Sequence, residues 1–344
     1  MFQAKQIHKT YLSNLKSLLM VFCLIGFPGI VCAQLYEDPV EMKNKLKVEL
    51  QYADYGEYEY PEPIVFQYGS TPYQQNQPYI ANFPEKRVLL KITRLVGSEA
   101  ALGLKYQFSD MREDAKQHFT ELRLTRSLNE SVVGLVTGQF IYDSRKYGAY
   151  QWGIGALWDI NAANSLQGDV QYYYRGKNAE PVGGKLGVLN LRLKYRRVLT
   201  LSTALITEYS HYNAKGDATT FNSHGVTVWL SQYLPTNTAI HLNMRYYTNS
   251  LGISSLAPGI EIAQYLDWAT VLGLKYRYYR NKSNNVSFGE QAIIIPDGLR
   301  SNSFSIQLSR EMTPEFLLYG RYRYYSSNLS VKMNTYMLGG VYSF

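Results

Sequence analysis

Cysteine is nearly missing from this chain. There are 2, Cys23 and Cys32, and both precede residue 34. The remainder therefore has no thiol for a disulfide or a thiolate metal site. It also has no apolar run near the ~20 residues that a membrane-spanning helix needs. Helix start and stop signals are absent. Histidine is scarce, at 5, and no glycine-rich phosphate loop, nucleotide fingerprint or Cys/His zinc spacing occurs. These absences exclude a disulfide-stapled scaffold, a helical membrane protein and a nucleotide- or zinc-dependent enzyme.

The N-terminus reads as an export signal. Lys5, Lys9 and Lys16 precede the apolar run 18–27, Pro28 and Gly29 break it, and Val31-Cys32-Ala33 offers a small-residue cleavage site before Gln34. That order is the layout of a secretory signal peptide. The run is short for a span and no basic stop follows it. The expected organisation is a signal peptide over 1–33 and one domain over 34–344, with too few residues before the first strand for a plug. An exported chain of about three hundred residues without disulfides needs another constraint, and a closed, hydrogen-bonded barrel supplies one.

Tyrosine is abundant instead, with 32 Tyr against 13 Phe and 4 Trp. An apolar ring with a wet tip suits the two rims of a membrane barrel. The formal charge of +8 points to nucleic acid, acidic lipid headgroups or an anionic solute. Basic residues interleaved with aromatics suit nucleic-acid stacking, but an export signal argues against that partner.

Period-two alternation predicts sixteen strands: 45–55, 87–96, 100–109, 119–128, 131–142, 149–160, 165–175, 185–197, 201–212, 223–234, 238–248, 254–266, 268–280, 301–311, 315–325 and 332–344. Most have the length of about ten residues that a tilted membrane strand needs. Short connections rich in Gly, Asn and Pro (97–98, 129–130, 161–164, 198–199, 235–237, 312–314) alternate with longer polar ones, of which 56–86 and 281–300 are the extremes. Short periplasmic turns alternating with longer outer loops are the layout of bacterial outer-membrane barrels, whose strand number is even. The strand at 254–266 is needed for parity but contains Pro258 and Gly259, and Pro is poorly tolerated in a paired strand. Fourteen strands is the alternative count. Both long loops carry apolar residues suited to a lid over the mouth.

The last strand aligns Tyr336, Leu338, Gly340, Tyr342 and Phe344 on one face, and the chain stops on that aromatic ring. This resembles the C-terminal strand of Gram-negative outer-membrane β-barrels, which end in Phe with a second aromatic two residues earlier. The resemblance covers about ten residues; an ordinary final strand of a soluble sandwich shows the same alternation. It implies an antiparallel, porin-like transmembrane β-barrel in the outer membrane, with Tyr336, Leu338, Tyr342 and Phe344 as the barrel-assembly signal. The implied partners are outer-membrane lipids and the barrel-assembly machinery. The third outer connection, 143–148, is too short to fold inward as in general trimeric porins, so neither that constriction nor the trimer carries over.

Assigning the apolar alternation to lipid turns the basic residues inward. The predicted lumen set is Lys47, Arg87, Lys91, Lys105, Arg123, Arg175, Arg192, Lys194, Arg196, Arg245, Lys275, Arg277, Arg321 and Arg323, opposed by fewer acids: Glu49, Glu121, Asp169 and Glu208. A charge on the lipid side costs about 2–4 kcal/mol at the midplane. Excess fixed positive charge in a narrow channel favours anions. The expected function is a passive channel for small anionic solutes, without cofactor, metal or enzymatic activity. The alternative is a non-conducting barrel docked to a periplasmic, export or electron-transfer partner. A rim lipid-modifying enzyme is the third reading: the hairpin holding Ser210-His211 and Ser223-His224 brings nucleophile and base types together, with no acid to orient them.

Overall fold

The computed structural model describes residues 43–55, 83–110, 116–143, 148–175, 186–216, 220–250, 252–283, 287–288, 291–292, 298–328 and 331–344. The expected signal peptide and most of the loop 56–86 lie outside the described residues. So do the lid residues Ile293 to Pro296.

In chain order the strands are β1 (Lys45–Tyr55), β2 (Phe83–Val96), β3 (Ala100–Asp110), β4 (Lys116–Ser127), β5 (Val132–Asp143), β6 (Gly148–Asn161), β7 (Asn164–Arg175), β8 (Leu186–Thr200) and β9 (Thr203–Gly216). They continue with β10 (Thr220–Leu234), β11 (Thr238–Asn249), β12 (Ile253–Tyr265), β13 (Thr270–Ser283), β14 (Ser287–Phe288), β15 (Gln291–Ala292), β16 (Arg300–Thr313), β17 (Phe316–Ser327) and β18 (Lys332–Ser343). Strands β14 and β15 form a small hairpin within one loop; the other sixteen close a barrel of consecutive antiparallel neighbours, β18 returning to β1. Closure leaves no unpaired edge, and that is the condition for a sheet to sit in hydrocarbon.

Alternation decides which face meets lipid. In β8, Leu189, Leu191 and Leu193 are exposed at 44%, 40% and 45%, while Asn190, Arg192 and Lys194 between them are partly covered. The same parity exposes Leu122 and Leu124 in β4, Ile154 in β6, Leu242 and Met244 in β11, Ile306 and Leu308 in β16, and Leu338 in β18. Two aromatic bands flank this apolar belt. Toward the rim with longer loops, Tyr322 packs on Tyr336 and Tyr336 on Tyr52, and Trp152 packs on Tyr172. Toward the rim with short turns, Trp158, Tyr195, Tyr233, Trp268, Tyr342 and Phe344 are exposed. An apolar belt between aromatic girdles is the outer surface of an outer-membrane-type barrel.

The short turns follow backbone chemistry. Gly97 and Asn237 adopt positive φ, at 70° and 55°, and those are the residue types that enter this region at least cost. One turn differs from the sequence expectation. The strand runs through 198–200, with a bulge at Leu199 where the register shifts, and turns at Leu201 and Ser202. Val198 and Leu199 suit a strand, and the hydroxyls of Thr200 and Thr203, bonded at 2.9 Å, close the hairpin. Other strands also extend beyond their expected ends; β2 begins at Phe83 rather than 87.

The strand with Pro258 is intact. It pairs continuously with β11, Pro258 standing opposite Met244. Toward β13 the pairing skips Ala257 and Pro258 and resumes in the same register at Gly259. Proline lacks the N–H for one rung, and the ladder absorbs that loss without slipping. The count is therefore sixteen, not fourteen.

Candidate pore lining

The predicted lumen residues share one parity. On β1, β2 and β3, Lys47, Arg87, Lys91 and Lys105 stand on the face opposite the exposed Leu50, Val88 and Leu104. Arg123, Arg192, Lys194 and Arg196 alternate with Leu122, Leu124, Leu191, Leu193 and Tyr195. Arg245, Lys275, Arg277, Arg321 and Arg323 alternate in the same way with Met244, Tyr246, Tyr276 and Tyr322. Arg175 has the inward parity by position in β7, but its side chain lies outside the described residues.

Several inward bases meet acids. Asp169 accepts two hydrogen bonds from Arg192, from Nε and Nη2, both at 2.8 Å. Arg123 pairs with Glu121 at 2.8 Å, and Glu121 also accepts from Gln139 at 2.9 Å. Arg87 pairs with Glu85 at 2.6 Å, Lys275 with Glu261 at 3.1 Å and Lys47 with Glu49 at 3.4 Å. Glu208 stands opposite Lys194 in register. Sequence reasoning missed Glu85, Glu261 and Glu311 as inward acids, all of them buried. Each shares a face with a residue two positions away, Arg87, Ala263 or Ser309, and that parity was the available signal; Glu85 lay in the stretch 56–86 expected as loop, whereas Glu261 and Glu311 lay inside expected strands.

The inward bases differ in their company. Across β4 to β8, Arg123 and Arg192 are ion-paired and Lys194 stands opposite Glu208, with Arg196 on the same face, among Gln139, Gln151, Gln171, Gly153, Gly155 and apolar side chains such as Leu135 and Leu157. Across β11 to β17, inward arginines alternate with strands of small side chains. Arg277 stands opposite Gly259 on one side and Ser303 on the other; Arg323 stands opposite Ser305 and Thr335. Small neighbours leave room for guanidinium groups to lie over them. Arg321 donates from Nε to Gln307 Oε1 at 2.7 Å. Among the described residues no carboxylate is ion-paired with Arg245, Arg277, Arg321 or Arg323.

The seam between β18 and β1 carries the expected C-terminal residues. Tyr336, Leu338 and Tyr342 stand opposite Tyr52, Leu50 and Leu46, all with outward parity. The ring of Phe344 stacks on Tyr342 with centroids 5.8 Å apart, and its N–H donates to the carbonyl of Asn44 at 3.2 Å. Inside the seam, Tyr319 of β17 passes over Gly339 of β18 and donates its hydroxyl to Glu49 of β1 at 2.5 Å.

The histidine hairpin resolves differently from a nucleophile–base pair. His211 stands opposite His224, with ring centroids 4.7 Å apart, and Tyr209 Oη bonds His224 Nδ1 at 2.8 Å. All three have outward parity. Ser210 and Ser223 have the opposite parity and are buried. Adjacent residues of a strand point to opposite faces, so neither serine shares a face with its neighbouring histidine.

No protein-family model and no curated protein matches this chain. Solved structures do match its fold. A bacterial polysaccharide outer-membrane secretin superposes with a TM-score of 0.59 at 5% identity, over 89% of this chain and 99% of that one. OccAB1 of Acinetobacter baumannii superposes with a TM-score of 0.50 at 10% identity, over 90% and 98%. OccAB3 of the same organism gives 0.50 at 8% identity, over 88% and 99%. The fold is that of a closed sixteen-strand outer-membrane β-barrel.

Proposed function

We propose that this barrel is a passive outer-membrane channel for small solutes, and that it prefers anions. The observation that carries the preference is the wall from β11 to β17. Four inward arginines stand there without a carboxylate partner among the described residues, whereas the inward acids elsewhere are taken up by bases such as Arg123 and Arg192. Fixed positive charge in a channel with low-dielectric walls concentrates anions and repels cations. Sixteen strands leave space for water inside. In this reading residues 1–33 are a cleaved export signal, residues 34–344 form the barrel without a plug, and Phe344 guides assembly. An active site at the rim is disfavoured, because the paired histidines face outward and the serines inward.

The test is the reversal potential of the purified protein in a planar bilayer under a potassium chloride gradient. The reading expects open channels whose reversal potential lies on the chloride side; potassium selectivity overturns the preference. A second reading, a silent barrel serving an export assembly, draws on the shared fold with the polysaccharide secretin. Absence of conductance together with a co-purifying periplasmic protein favours it.

A further inference from the structure

The outward face carries charge as well as the lumen, and strand register decides how it is arranged. On one side of the barrel, Lys86 stands opposite Asp110, and Asp110 opposite Lys116. The signs alternate, as cross-strand neighbours prefer. At the loop rim of β13 and β16 they do not. Arg280 stands directly opposite Arg300. Lys282 follows two residues beyond Arg280 on the same face, and Lys332 occupies the same face of β18 opposite Ser326. All four are exposed.

The outward neighbours of Arg280, Lys282 and Arg300 are Ser254, Leu256, Asn302 and Asn328, none of them an acid, while Lys332 stands opposite Ser326 and diagonal to Asp54. Among the described residues no carboxylate is ion-paired with any of the four cations. Like charges directly opposite one another destabilise a sheet. Nothing on the described surface offsets the repulsion between Arg280 and Arg300. Toward the membrane midplane the same face presents Tyr278, Tyr276 and Phe304, followed by Ile306 and Leu308. Tyr276 donates its hydroxyl to Asn302 at 2.6 Å. An aromatic girdle marks the boundary between hydrocarbon and headgroups, so the cations stand at headgroup height beside an apolar column.

We propose that Arg280, Lys282, Arg300 and Lys332 bind the phosphomonoester headgroup of an outer-leaflet lipid, whose acyl chains lie against the apolar column below. Guanidinium forks donate two hydrogen bonds to phosphate oxygens. A phosphomonoester carries about −1.5 to −2 charges, which suits two opposed arginines better than the single charge of a phosphodiester. A solute inside the barrel does not reach these side chains, because the wall separates them from the lumen. The site therefore stands independently of conductance and ion preference.

The experiment uses the full-length barrel in zwitterionic detergent, with lipid binding read by native mass spectrometry. The probes are bisphosphorylated lipid A, the same lipid stripped of its phosphates, and inorganic phosphate. The expected preference for the phosphorylated lipid is about tenfold or more, from the attraction of four basic residues at headgroup height. Arg280→Gln with Arg300→Gln removes most of that preference, Arg280→Lys with Arg300→Lys keeps part of it, and Lys86→Gln with Lys116→Gln leaves it intact. The Gln pair also retains full heat resistance in lipid-free detergent, since it relieves a repulsion; this separates lost binding from lost folding. Equal binding of the two lipids, an unchanged preference in the Gln pair, or displacement by equimolar inorganic phosphate overturns the proposal.

Discussion

Tyr319 and Glu49 are bonded across an intervening strand. Tyr319 belongs to β17 and Glu49 to β1, and the 2.5 Å hydrogen bond between them spans β18. It exists because position 339 is glycine: a Cβ there would overlap the Tyr319 ring. The contact ties the last hairpin to the first strand on the inner side, while the backbone ladder between β18 and β1 ties them within the wall. Phe316 and Leu317, with Met337 and Val341, pack around the same ring.

Substitution at this joint is expected to loosen closure. Tyr319→Phe removes a hydrogen bond to a charged group, a loss of about 1.5–3 kcal/mol. Gly339→Val forces the ring aside, at a cost of about 1–3 kcal/mol. Urea unfolding in lipid vesicles, followed by the heat-dependent shift in gel mobility, reads both. The double variant should cost less than the sum, because both changes act on one contact.

The basic wall makes a prediction for selectivity. Arg277→Gln and Arg323→Gln, alone and together, should move the reversal potential stepwise toward that of potassium. Glu121→Gln should move it the other way by leaving Arg123 uncompensated. Arg192→Gln also removes one cation, leaving Asp169 without that partner, and should shift selectivity in the same direction as Arg323→Gln.

Outward and inward positions should differ sharply in their tolerance of charge. Leu122, 54% exposed on the belt, becomes a charge in lipid when replaced by Arg, at about 2–4 kcal/mol near the midplane. Gln139→Arg introduces the same charge beside Glu121 on the inner face and should cost far less. Equilibrium refolding into vesicles measures the difference.

Removal of the terminal ring tests assembly. Phe344→Ala breaks the stack on Tyr342 and should lower the yield of heat-modifiable barrel in the outer membrane. Its refolding in detergent should change little, because the β18–β1 ladder ends before it. An equal loss in both settings would make Phe344 a stability residue and not an assembly signal.

One turn carries a pH signature. The N–H of Ala269 donates to Asp267 Oδ1 at 2.7 Å, and that bond, chiefly, holds the Asp267 carboxyl below the ordinary carboxylate range. A depressed carboxyl stabilises the fold above its unfolded pKa of about 3.9. The contribution fades as pH falls through the folded value. Asp267→Ala should thus lower the melting temperature at pH 7 and have progressively less effect in acid.

The wall of this barrel was legible from the chain alone. Period two is a property of the extended backbone, so Leu189, Leu191 and Leu193 announce a lipid face wherever the strand is finally placed. Strands β4 and β5 were harder, because Phe119, Val133, Leu135 and Ile141 make their inner face apolar as well. Two apolar faces erase the alternation that assigns inside from outside.

Pairing between charges was less legible. Asp169 and Arg192 meet across one hairpin, and Glu121 with Arg123 is local, so both pairs follow from turn position. Glu85 stayed hidden behind Pro84, although that proline sits at the start of a ladder opposite Asp54. That Ser210-His211 and Ser223-His224 share one hairpin was legible, and the structure pairs His211 with His224. The separation of each from its neighbouring serine follows from the same alternation.

The sequence by itself determined a wall of alternating strands, the lipid face of most of them and the direction in which the bases point, because these depend on local period, turn chemistry and the cost of charge in lipid; the choice of sixteen strands over fourteen rested on the pairing of β12. Only the tertiary structure decided which residues meet around the closed wall: Tyr319 with Glu49 over Gly339, Arg277 and Arg323 over serine rungs, and Arg280 against Arg300 at the rim. Those contacts depend on register and closure, which join residues as far apart as 270 positions and leave no local period to read.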